Sequence, residues 1–454
     1  MKKIEKRAVF CLLLAGMLML GLVVFSVKFF VNGGQWASFP ANRHLYTNGV
    51  MTAGRILDRN GYLLVEPQDG QRVYNESNGI RKGTLHAVGD SAGRIGTGAQ
   101  SRFASKLSGY NPITGASSGS GRDLTLTLDA DVCSAAYYAL DGRKGTVGVY
   151  NYKTGEIICM VSTPTYDPQD PPEIADDDPQ YEGVYVNRLL SATFVPGSIF
   201  KTVTTAAAID HIGDLQQRTF HCDGEMEIGG AKITCTQAHG DLTIGQAFTV
   251  SCNCVYGQLA AELGADVMEE YVEKLGLTDS YSVNGIQTGK GSFRFDDEDK
   301  GGLAWAGIGQ SEDLVNPCSM MVFMGAVANG GKAAMPQEIL KLETEGGFNT
   351  HFYRTRSTGR MLSEETADTL ADMMRDNVLN NYGEGDLGGL ELCAKSGTAE
   401  VGGDQTPNAW FTGFLRSEEH PLAFIVLVEN GGSGSRVAGS IAKQVLAKAV
   451  ENGN

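Results

Sequence analysis

The chain has 454 residues, 42% of them hydrophobic, and a formal net charge of −16. This length accommodates two or three domains with a sizeable core, and the ordinary composition excludes an intrinsically disordered chain, a collagen, a polytopic membrane protein and a small disulfide scaffold. The acidic balance argues against a nucleic-acid-binding protein, because contacts to phosphates require a basic surface. We therefore expect no nucleic-acid partner.

The first element in chain order is an apolar segment at residues 8–27, which as a helix would span about 30 Å, the thickness of a bilayer core. Lysines and an arginine precede it, so the positive-inside rule places the N-terminus in the cytoplasm and the rest of the chain outside. A cleaved signal peptide is the alternative, but its apolar region is usually shorter, and no clear small-x-small cleavage site follows. We predict one uncleaved transmembrane helix.

The next segment, residues 33–122, is rich in Gly, Ser and Asn and contains few long apolar runs. We predict a short extended region that ends in a flexible stretch at residues 115–122. From residue 123 onwards the sequence shows regular helical and strand periodicity. The predicted elements there are a strand at 124–128, a helix at 131–140, and the two strands of a hairpin at 146–150 and 156–162.

The central part of the chain, residues 198–380, is mostly helical in pattern, and strands return only near the end. The predicted helices cover residues 201–210, 243–263, 265–275, 316–329 and 363–378. The late strands cover residues 391–395, 409–415 and 422–429, and a last helix covers residues 437–450. This order indicates an α+β domain in which an antiparallel five-stranded sheet is flanked by helices and carries an inserted all-helical lobe.

A candidate nucleophile stands where Pro-Gly-Ser-Ile-Phe-Lys leads into an apolar helix. Pro196 and Gly197 break the chain before the helix begins, so Ser198 lies in the first turn. Lys201 follows three residues later on the same face, and its amine can therefore reach the hydroxyl. A desolvated lysine has a lowered pKa and can take the serine proton, while backbone N–H groups at the helix N-terminus favour a developing oxyanion.

Two further short motifs carry side chains suited to acyl transfer: Ser-Cys-Asn at residues 251–253 and Lys-Ser-Gly-Thr at residues 395–398. Each of the three motifs is common by chance, and each has a second copy in this chain. The second copies are Ser-x-x-Lys at residues 440–443, Ser-x-Asn at residues 282–284 and Lys-Thr-Gly at residues 153–155. Only the first set gives the order Ser-x-x-Lys, Ser-x-Asn, Lys-Ser-Gly-Thr on a helix, a loop and a strand.

This order of motifs is the signature of penicillin-binding proteins and β-lactamases. Over most of residues 50–450 the chain resembles class B penicillin-binding proteins, the monofunctional peptidoglycan D,D-transpeptidases. Further stretches that carry the resemblance are residues 54–61, 154–157, 162–168, 187–188, 309–310, 316–317, 328–331 and 409–413. The resemblance implies a penicillin-binding/serine β-lactamase-like transpeptidase fold, and the short segment after the membrane helix is similar to that of the short-pedestal subgroup.

The resemblance also implies how the chain is divided and where it acts. We expect a cytoplasmic tail and transmembrane anchor at residues 1–30, a short pedestal at residues 31–122 and a transpeptidase domain at residues 123–454. The expected location is the bacterial cell membrane, with the catalytic domain on the outer side. The expected ligands are peptidoglycan stem peptides ending in D-Ala–D-Ala and β-lactam antibiotics, the expected partner is a glycosyltransferase of the SEDS type, and no cofactor is expected.

The roles that the resemblance implies agree with the chemistry of the residues. Ser198 is the expected nucleophile, and Lys201 is its expected base. Ser251 would relay the proton to the leaving D-Ala amine with Lys395 nearby, and Asn253 would hold the substrate amide.

The third motif is expected to bind substrate. Lys395, Ser396 and Thr398 would hold the terminal carboxylate through charge and hydroxyl donors, and Gly397 belongs to the same substrate-binding strand. The backbone N–H groups of Ser198 and Thr398 would form the oxyanion hole.

Other functions could use the same motifs. A D,D-carboxypeptidase would use the same residues with water as acceptor, and a non-catalytic scaffold of the synthesis complex would not need Ser198. A β-lactamase requires an added deacylating base, which nothing here marks, and a β-lactam sensor would carry several membrane spans. Trp410 in the neighbouring strand is expected to pack rather than to contact substrate.

The cysteines leave two alternatives open. Cys222 and Cys235 flank a Gly-rich stretch and could form a disulfide in an oxidising compartment. With His239 and the adjacent His221 they also resemble zinc ligands, but no Cys-x₂-Cys knuckle accompanies them, so no metal site is predicted. The Cys-x-Cys pair around Asn253 is expected to pack in the core.

Overall fold

The computed structural model describes residues 2–38, 53–69, 71–108, 121–175, 177–344, 346–350, 354–387, 389–403 and 405–454. Residues 115–120 of the predicted flexible stretch lie outside these ranges. In the described part of the chain, one helix is long and apolar enough to cross a membrane, over Lys3–Gly33. Its most apolar stretch of 18 residues has a mean hydropathy of 2.8, and none of those residues is buried against the rest of the protein.

The helices and strands follow the alternation of helical and strand patterns in the sequence. The helices are α1 (Lys2–Ser38), α2 (Asn78–Gly83), α3 (Leu85–Val88), α4 (Ala99–Arg102), α5 (Ala104–Leu107), α6 (Ala130–Leu140), α7 (Arg188–Ser191), α8 (Lys201–His211), α9 (Ile244–Thr249), α10 (Asn253–Leu263), α11 (Ala265–Lys274), α12 (Lys300–Ala306), α13 (Pro317–Ala328), α14 (Glu364–Asn377) and α15 (Gly439–Glu451). The strands are β1 (Ile56–Leu57), β2 (Leu63–Gln68), β3 (Gln71–Tyr74), β4 (Asp123–Leu126), β5 (Gly145–Asn151), β6 (Ile157–Thr163), β7 (Phe220–Cys222), β8 (Glu225–Ile228), β9 (Ala231–Thr234), β10 (Gly240–Leu242), β11 (Ser282–Val283), β12 (Ile286–Gln287), β13 (Ile339–Glu343), β14 (Leu392–Ala399), β15 (Asn408–Leu415) and β16 (Leu422–Val428).

The predicted five-stranded antiparallel sheet is confirmed, with strand order β14-β15-β16-β5-β6. Every residue of β15 and β16 is buried, because helices cover both faces of the sheet. Gly148 of β5 packs against Met321 of α13 on one face, and Cys133 of α6 lies beneath the opposite face, where its thiol is 3.9 Å from the Ile158 carbonyl of β6. β14 forms one edge of this sheet, and its free edge faces the helical lobe.

The helical lobe lies between β6 and β14 in the chain and contains one break that the sequence pattern does not predict. Residues 243–263 were expected to form one helix, but the structure has α9 and α10 with a turn between them. Ser251 in this turn has a φ of +54°, a left-handed conformation that interrupts helical hydrogen bonding. The apolar periodicity continues across the turn, so it does not reveal the break.

The segment predicted to be extended, residues 33–122, folds instead where it is described. β1, β2 and β3 join β4 and β13 in a second sheet of order β13-β4-β1-β2-β3, in which Ile56 pairs in parallel with Leu124. This sheet crosses the boundary predicted at residue 122. The strands were missed because they are two to six residues long and gain their stability from β4 and from the distant β13.

Candidate active site

The turn that carries Ser198 lies directly against the edge strand β14. Ser198 occupies one turn of 3-10 helix, Gly197–Phe200, that continues into α8. Gly197 has a φ of +56°, and a Cβ added there would lie 2.9 Å from the carbonyl oxygen of Thr398 and 2.9 Å from the Cα of Ala399. Only glycine fits this approach, which brings the backbones at Ser198 and Thr398 side by side.

A buried aromatic side chain holds the approach to this turn. The indole N–H of Trp410 in β15 donates a 2.9 Å hydrogen bond to the Val195 carbonyl, and its ring packs edge-on against Phe194 at 6.2 Å. Trp410 is fully buried. Its surroundings are therefore those of a packing residue, as expected.

Two buried lysines meet at one hydroxyl. Lys201 Nζ lies 3.1 Å from Ser251 Oγ, and Lys395 Nζ lies 3.0 Å from the same oxygen. Lys201 Nζ also donates to the Ser251 carbonyl at 2.6 Å and to Asn253 Oδ1 at 2.7 Å. The first and second motifs are thus joined through Lys201, and the third is joined to them through Lys395.

These lysines lack the carboxylate partner that normally accompanies a buried amine. Both side chains are fully buried, and neither forms an ion pair with a carboxylate in the described part of the chain. Burial, and then the charge of Lys395, holds the pKa of Lys201 well below its usual range. Burial lowers the pKa of Lys395 to about 7. A neutral Lys201 with a free electron pair can accept a proton, as a general base requires.

The loop that holds Ser251 has a strained backbone, and hydrogen bonds hold it at Ser251 and at Asn253. Ser251 adopts its left-handed conformation while its N–H donates to Phe248 O at 3.1 Å. Asn253 follows at the start of α10, where its side-chain amide donates to the Thr234 carbonyl at 2.7 Å. A non-glycine residue in this region of φ costs on the order of 1–3 kcal/mol, so the surrounding contacts must hold it.

Ser198 itself is half-buried, and no side-chain hydrogen bond is formed by its hydroxyl within the described residues. The three bonds of Lys201 point to Ser251 and Asn253, so the sequence-predicted contact between Ser198 and Lys201 is absent here. A neutral Lys201 amine would keep two N–H groups, which can still donate to Ser251 and Asn253. Its electron pair would then be free to accept the proton of the Ser198 hydroxyl. Catalytic hydrogen bonds commonly tighten only when substrate is bound.

The residues expected to bind the carboxylate lie along β14. Thr398 is exposed, whereas Ser396 is half-buried and its hydroxyl lies 2.8 Å from the Tyr382 hydroxyl. Tyr382 also accepts the Ser396 backbone N–H at 3.1 Å, and Asn377 donates to the same phenol oxygen at 3.1 Å. Gly397 faces the nucleophile turn, where a Cβ would lie 3.0 Å from Ile199 Cγ2.

Tyr382 is a site residue that the sequence analysis missed. It lies in the turn Val378–Tyr382 after α14, and nothing in its local pattern marks it. Its partner Ser396 is 14 residues away in the chain. By its contacts Tyr382 is a positioning residue for the third motif.

The second copies of the motifs lie elsewhere. Ser440 is exposed on α15, and Asn284 uses its side chain to accept the backbone N–H groups of Glu338 and Ile339. Lys153 forms an ion pair with the exposed Glu418. The order of motifs therefore selected the copies that the fold brings together.

The sequence left open a disulfide between Cys222 and Cys235, but both residues are free thiols in the structure. The Sγ of Cys235 lies instead 3.6 Å from that of Cys252 in the second motif. The fold and the three motifs together define the class of serine acyltransferases, and the site offers a lysine rather than a histidine as the candidate base.

Comparisons with known proteins identify the family within this class to which the chain belongs. Residues 145–447 match the family described as penicillin binding protein transpeptidase domain. The peptidoglycan D,D-transpeptidase PbpA of Mycolicibacterium smegmatis is 28% identical over 365 residues, which is 74% of each chain. Stage V sporulation protein D of Bacillus subtilis is 27% identical over 348 residues, 72% of this chain and 52% of that protein. The chain therefore belongs to the transpeptidase family of penicillin-binding proteins, and within it to class B.

Solved structures agree on the fold. The D,D-transpeptidase domain of a peptidoglycan glycosyltransferase from Eggerthella lenta superposes with a TM-score of 0.77 at 27% identity, over 88% of this chain and 98% of that chain. The ceftriaxone acyl-enzyme of penicillin-binding protein A from M. tuberculosis superposes with a TM-score of 0.79 at 23% identity, over 88% and 98% of the two chains. The predicted transpeptidase fold is confirmed.

Proposed function

We propose that this chain is a serine D,D-transpeptidase that crosslinks peptidoglycan stem peptides through an acyl-enzyme on Ser198. The observation that carries this proposal is the Ser251 hydroxyl held 3.1 Å and 3.0 Å from two buried lysine amines, beside the turn of Ser198. Buried amines without carboxylate partners are suited to moving a proton near neutral pH. The membership of the chain in class B supports the choice of substrate, a peptide ending in D-Ala–D-Ala.

Acylation would use these groups in the following order. The Ser198 proton passes to neutral Lys201, and Oγ bonds to the carbonyl carbon of the penultimate D-Ala. The resulting oxyanion is held by the backbone N–H groups of Ser198 and Thr398, a contribution worth on the order of 10²–10³ in rate per donor. The C–N bond to the terminal D-Ala then breaks, and its amine takes the proton from Lys201 through the Ser251 hydroxyl.

The rest of the site would orient the two peptides. Asn253 would hold the substrate amide, and Lys395, Ser396 and Thr398 would bind the terminal carboxylate, with Gly397 keeping that strand close to the nucleophile. An amine of a second stem peptide would then attack the ester. That step forms the crosslink and returns the proton and the free hydroxyl to Ser198.

Covalent labelling with penicillin tests this assignment, because the strained lactam mimics the D-Ala–D-Ala amide. The purified protein should gain the mass of one penicillin molecule, and Ser198→Ala should gain none. Ser440→Ala is the matched control, because it removes the serine of the second Ser-x-x-Lys copy, and it should label like the unaltered protein. An adduct that survives Ser198→Ala would overturn the proposal.

Product analysis separates the transpeptidase from its alternatives. With lipid-linked precursor and a polymerase, crosslinked dimers should appear. Release of tetrapeptide alone would indicate a D,D-carboxypeptidase. Cell-wall synthesis that persists fully with Ser198→Ala in place of the unaltered protein would indicate a non-catalytic scaffold.

We also propose that α1 anchors the chain in the bacterial cell membrane with its N-terminus in the cytoplasm. The apolar span Lys3–Gly33 and the basic residues at its start support this orientation. The proposed parts remain an anchor at residues 1–30, a pedestal at residues 31–122 and a transpeptidase domain at residues 123–454. A protease added outside intact spheroplasts should digest the catalytic domain, and its full protection would contradict this topology.

A glycosyltransferase of the SEDS type is the proposed partner, contacted through α1 and the pedestal. The support is the resemblance to class B penicillin-binding proteins, since the crosslinked strand must be polymerised at the same membrane. Co-purification after crosslinking in the membrane should recover this partner with the full chain. Replacement of α1 by an unrelated transmembrane helix should weaken the recovery.

A further inference from the structure

Three cysteines and a histidine converge beside the second motif, outside the reacting groups described above. The thiols of Cys222, Cys235 and Cys252 and a ring nitrogen of His239 all lie within 4.8 Å of one another. Cys222 and Cys252 are buried, and the other two are half-buried. We propose that these four side chains bind a structural zinc ion that fixes the Ser251 loop.

The separations of the ligand atoms fit a tetrahedral zinc centre. Zn–S bonds of about 2.3 Å and a Zn–N bond of about 2.0 Å give tetrahedron edges of about 3.8 Å between sulfurs and about 3.6 Å between sulfur and nitrogen. The Cys235 and Cys252 sulfurs are 3.6 Å apart, and the Cys222 sulfur is 3.5 Å from His239 Nδ1. A disulfide would require sulfurs about 2.05 Å apart.

The donors around the cluster favour thiolate. Cys235 Sγ accepts the backbone N–H of Asn253 at 3.0 Å and that of Cys254 at 3.4 Å, at the start of α10. Backbone N–H donors to sulfur stabilise its negative charge and orient it toward a metal. Three thiolates with one imidazole form one of the ligand sets of structural zinc sites.

Two neighbours that could compete as ligands are already engaged. The thiol of Cys254 contacts the Ile233 carbonyl at 3.8 Å. His221 lies in β7 beside Cys222, but its two ring nitrogens contact Asp241 at 2.6 Å and Asp223 at 2.9 Å. The geometry therefore selects His239 rather than His221, and Cys252 completes the set.

The proposed ion would connect four separate stretches of the lobe. Cys222 ends β7, Cys235 follows β9, His239 precedes β10, and Cys252 lies between Ser251 and Asn253. Both neighbours of Cys252 contact Lys201. A zinc bond to Cys252 would hold the left-handed turn at Ser251, so the ligands are positioning residues rather than catalytic residues.

Metal analysis of the purified full-length chain tests this site without any substrate. We expect one zinc per chain, and cobalt substitution should give thiolate-to-cobalt absorption. Cys222→Ser and His239→Ala should lose the metal, whereas His221→Ala, the matched control on the neighbouring histidine, should keep it. His239→Cys should retain zinc, because a fourth thiolate replaces the imidazole.

Stability and reactivity supply further readouts. A strong chelator should lower the Tm of the unaltered protein and of His221→Ala but leave that of His239→Ala unchanged. Penicillin labelling should slow in His239→Ala and recover in His239→Cys, while Ser198 remains intact. Should Cys222→Ser fail to fold, the His239 variants decide the question.

Three outcomes would overturn the proposal: free thiols without zinc, a Cys235–Cys252 disulfide detected by thiol alkylation and mass spectrometry, or unaltered zinc content in His239→Ala. None depends on the proposed reaction, because the penicillin adduct on Ser198 is measured separately. A chain that binds zinc but fails to react with penicillin would sink the proposed function alone.

Discussion

The chain contains the sequence Gly-Ser-x-x-Lys twice, and the two copies lie in very different surroundings. In the first, Gly197 has a φ of +56° and Lys201 is fully buried at the Ser251 hydroxyl. In the second, Ser440 is exposed on α15, and Lys443 is half-buried and donates to the Tyr382 carbonyl. The same spacing therefore yields a candidate nucleophile in one place and an ordinary helix start in the other.

The difference lies in what surrounds the amine. Lys201 is removed from water without a carboxylate, so its charged form is disfavoured and its pKa is lowered, first by burial and then by Lys395. Reactivity thus depends on the tertiary environment and not on the motif.

The largest effect is expected from Lys201→Met. Loss of the base should slow penicillin acylation by roughly 10²–10⁴, the range of general base catalysis. Lys443→Met should keep the labelling rate of the unaltered protein. Stopped-flow or gel-based acylation rates measure both, and circular dichroism checks that each variant is folded; equal losses in the two variants would contradict the comparison.

The glycines before the two serines provide a second matched pair. Gly197→Ala should destabilise the fold by about 1–3 kcal/mol, because alanine is strained at positive φ. Its Cβ would also push Thr398 away and weaken acylation. Gly439 has a φ of −65°, and its nearest Cβ contact would be an ordinary 3.4 Å, so Gly439→Ala should be nearly neutral. Denaturant unfolding and acylation rates measure the contrast.

The lowered pKa of Lys395 predicts that the rate of acylation depends on pH. Since burial lowers the pKa of Lys395 to about 7, its positive charge is lost as the pH rises through that value. If this charge binds the substrate carboxylate, the second-order rate of acylation should fall above about pH 7 in the free enzyme. Lys395→Arg keeps its charge throughout, so its profile should lack the alkaline decline even though its maximum is lower.

The last prediction concerns stability rather than acylation, at a buried acid whose pKa shift is opposite in direction to that of Lys395. Burial raises the pKa of Glu338 from 4.5 to about 8, and its carboxyl oxygens have no hydrogen-bond partner among the described residues. The folded state keeps a proton that the unfolded chain releases, so this contribution to stability is complete below pH 4.5 and is lost as the pH rises through about 8.

Glu338→Gln should therefore gain Tm relative to the unaltered protein as the pH increases from about 5 to about 8.5. Glu419→Gln, at an exposed position, is the control. A Tm difference for Glu338→Gln that stays constant over this range would argue against a protonated Glu338 in the folded state.

Much of the fold was predictable because its strands and helices bury continuous or periodic apolar faces. β15 was expected at residues 409–415 and occupies Asn408–Leu415, and α13 was expected at 316–329 and occupies Pro317–Ala328. The break between α9 and α10 was not predictable. The contacts of Ser251 with Lys201 and Lys395 impose it, and those residues are 50 and 144 positions away.

Local sequence patterns establish which chemical groups are available: a serine behind a Pro-Gly break, two lysines in ordered motifs, and an apolar first helix. Local order suffices for this, because capping, turn chemistry and periodicity act over a few residues. Tertiary packing removes water from the lysine of one Ser-x-x-Lys copy and not from the other, and it brings Cys252 close to Cys222, Cys235 and His239. Desolvation and metal-ligand geometry arise between residues far apart in the chain, so no local pattern contains them.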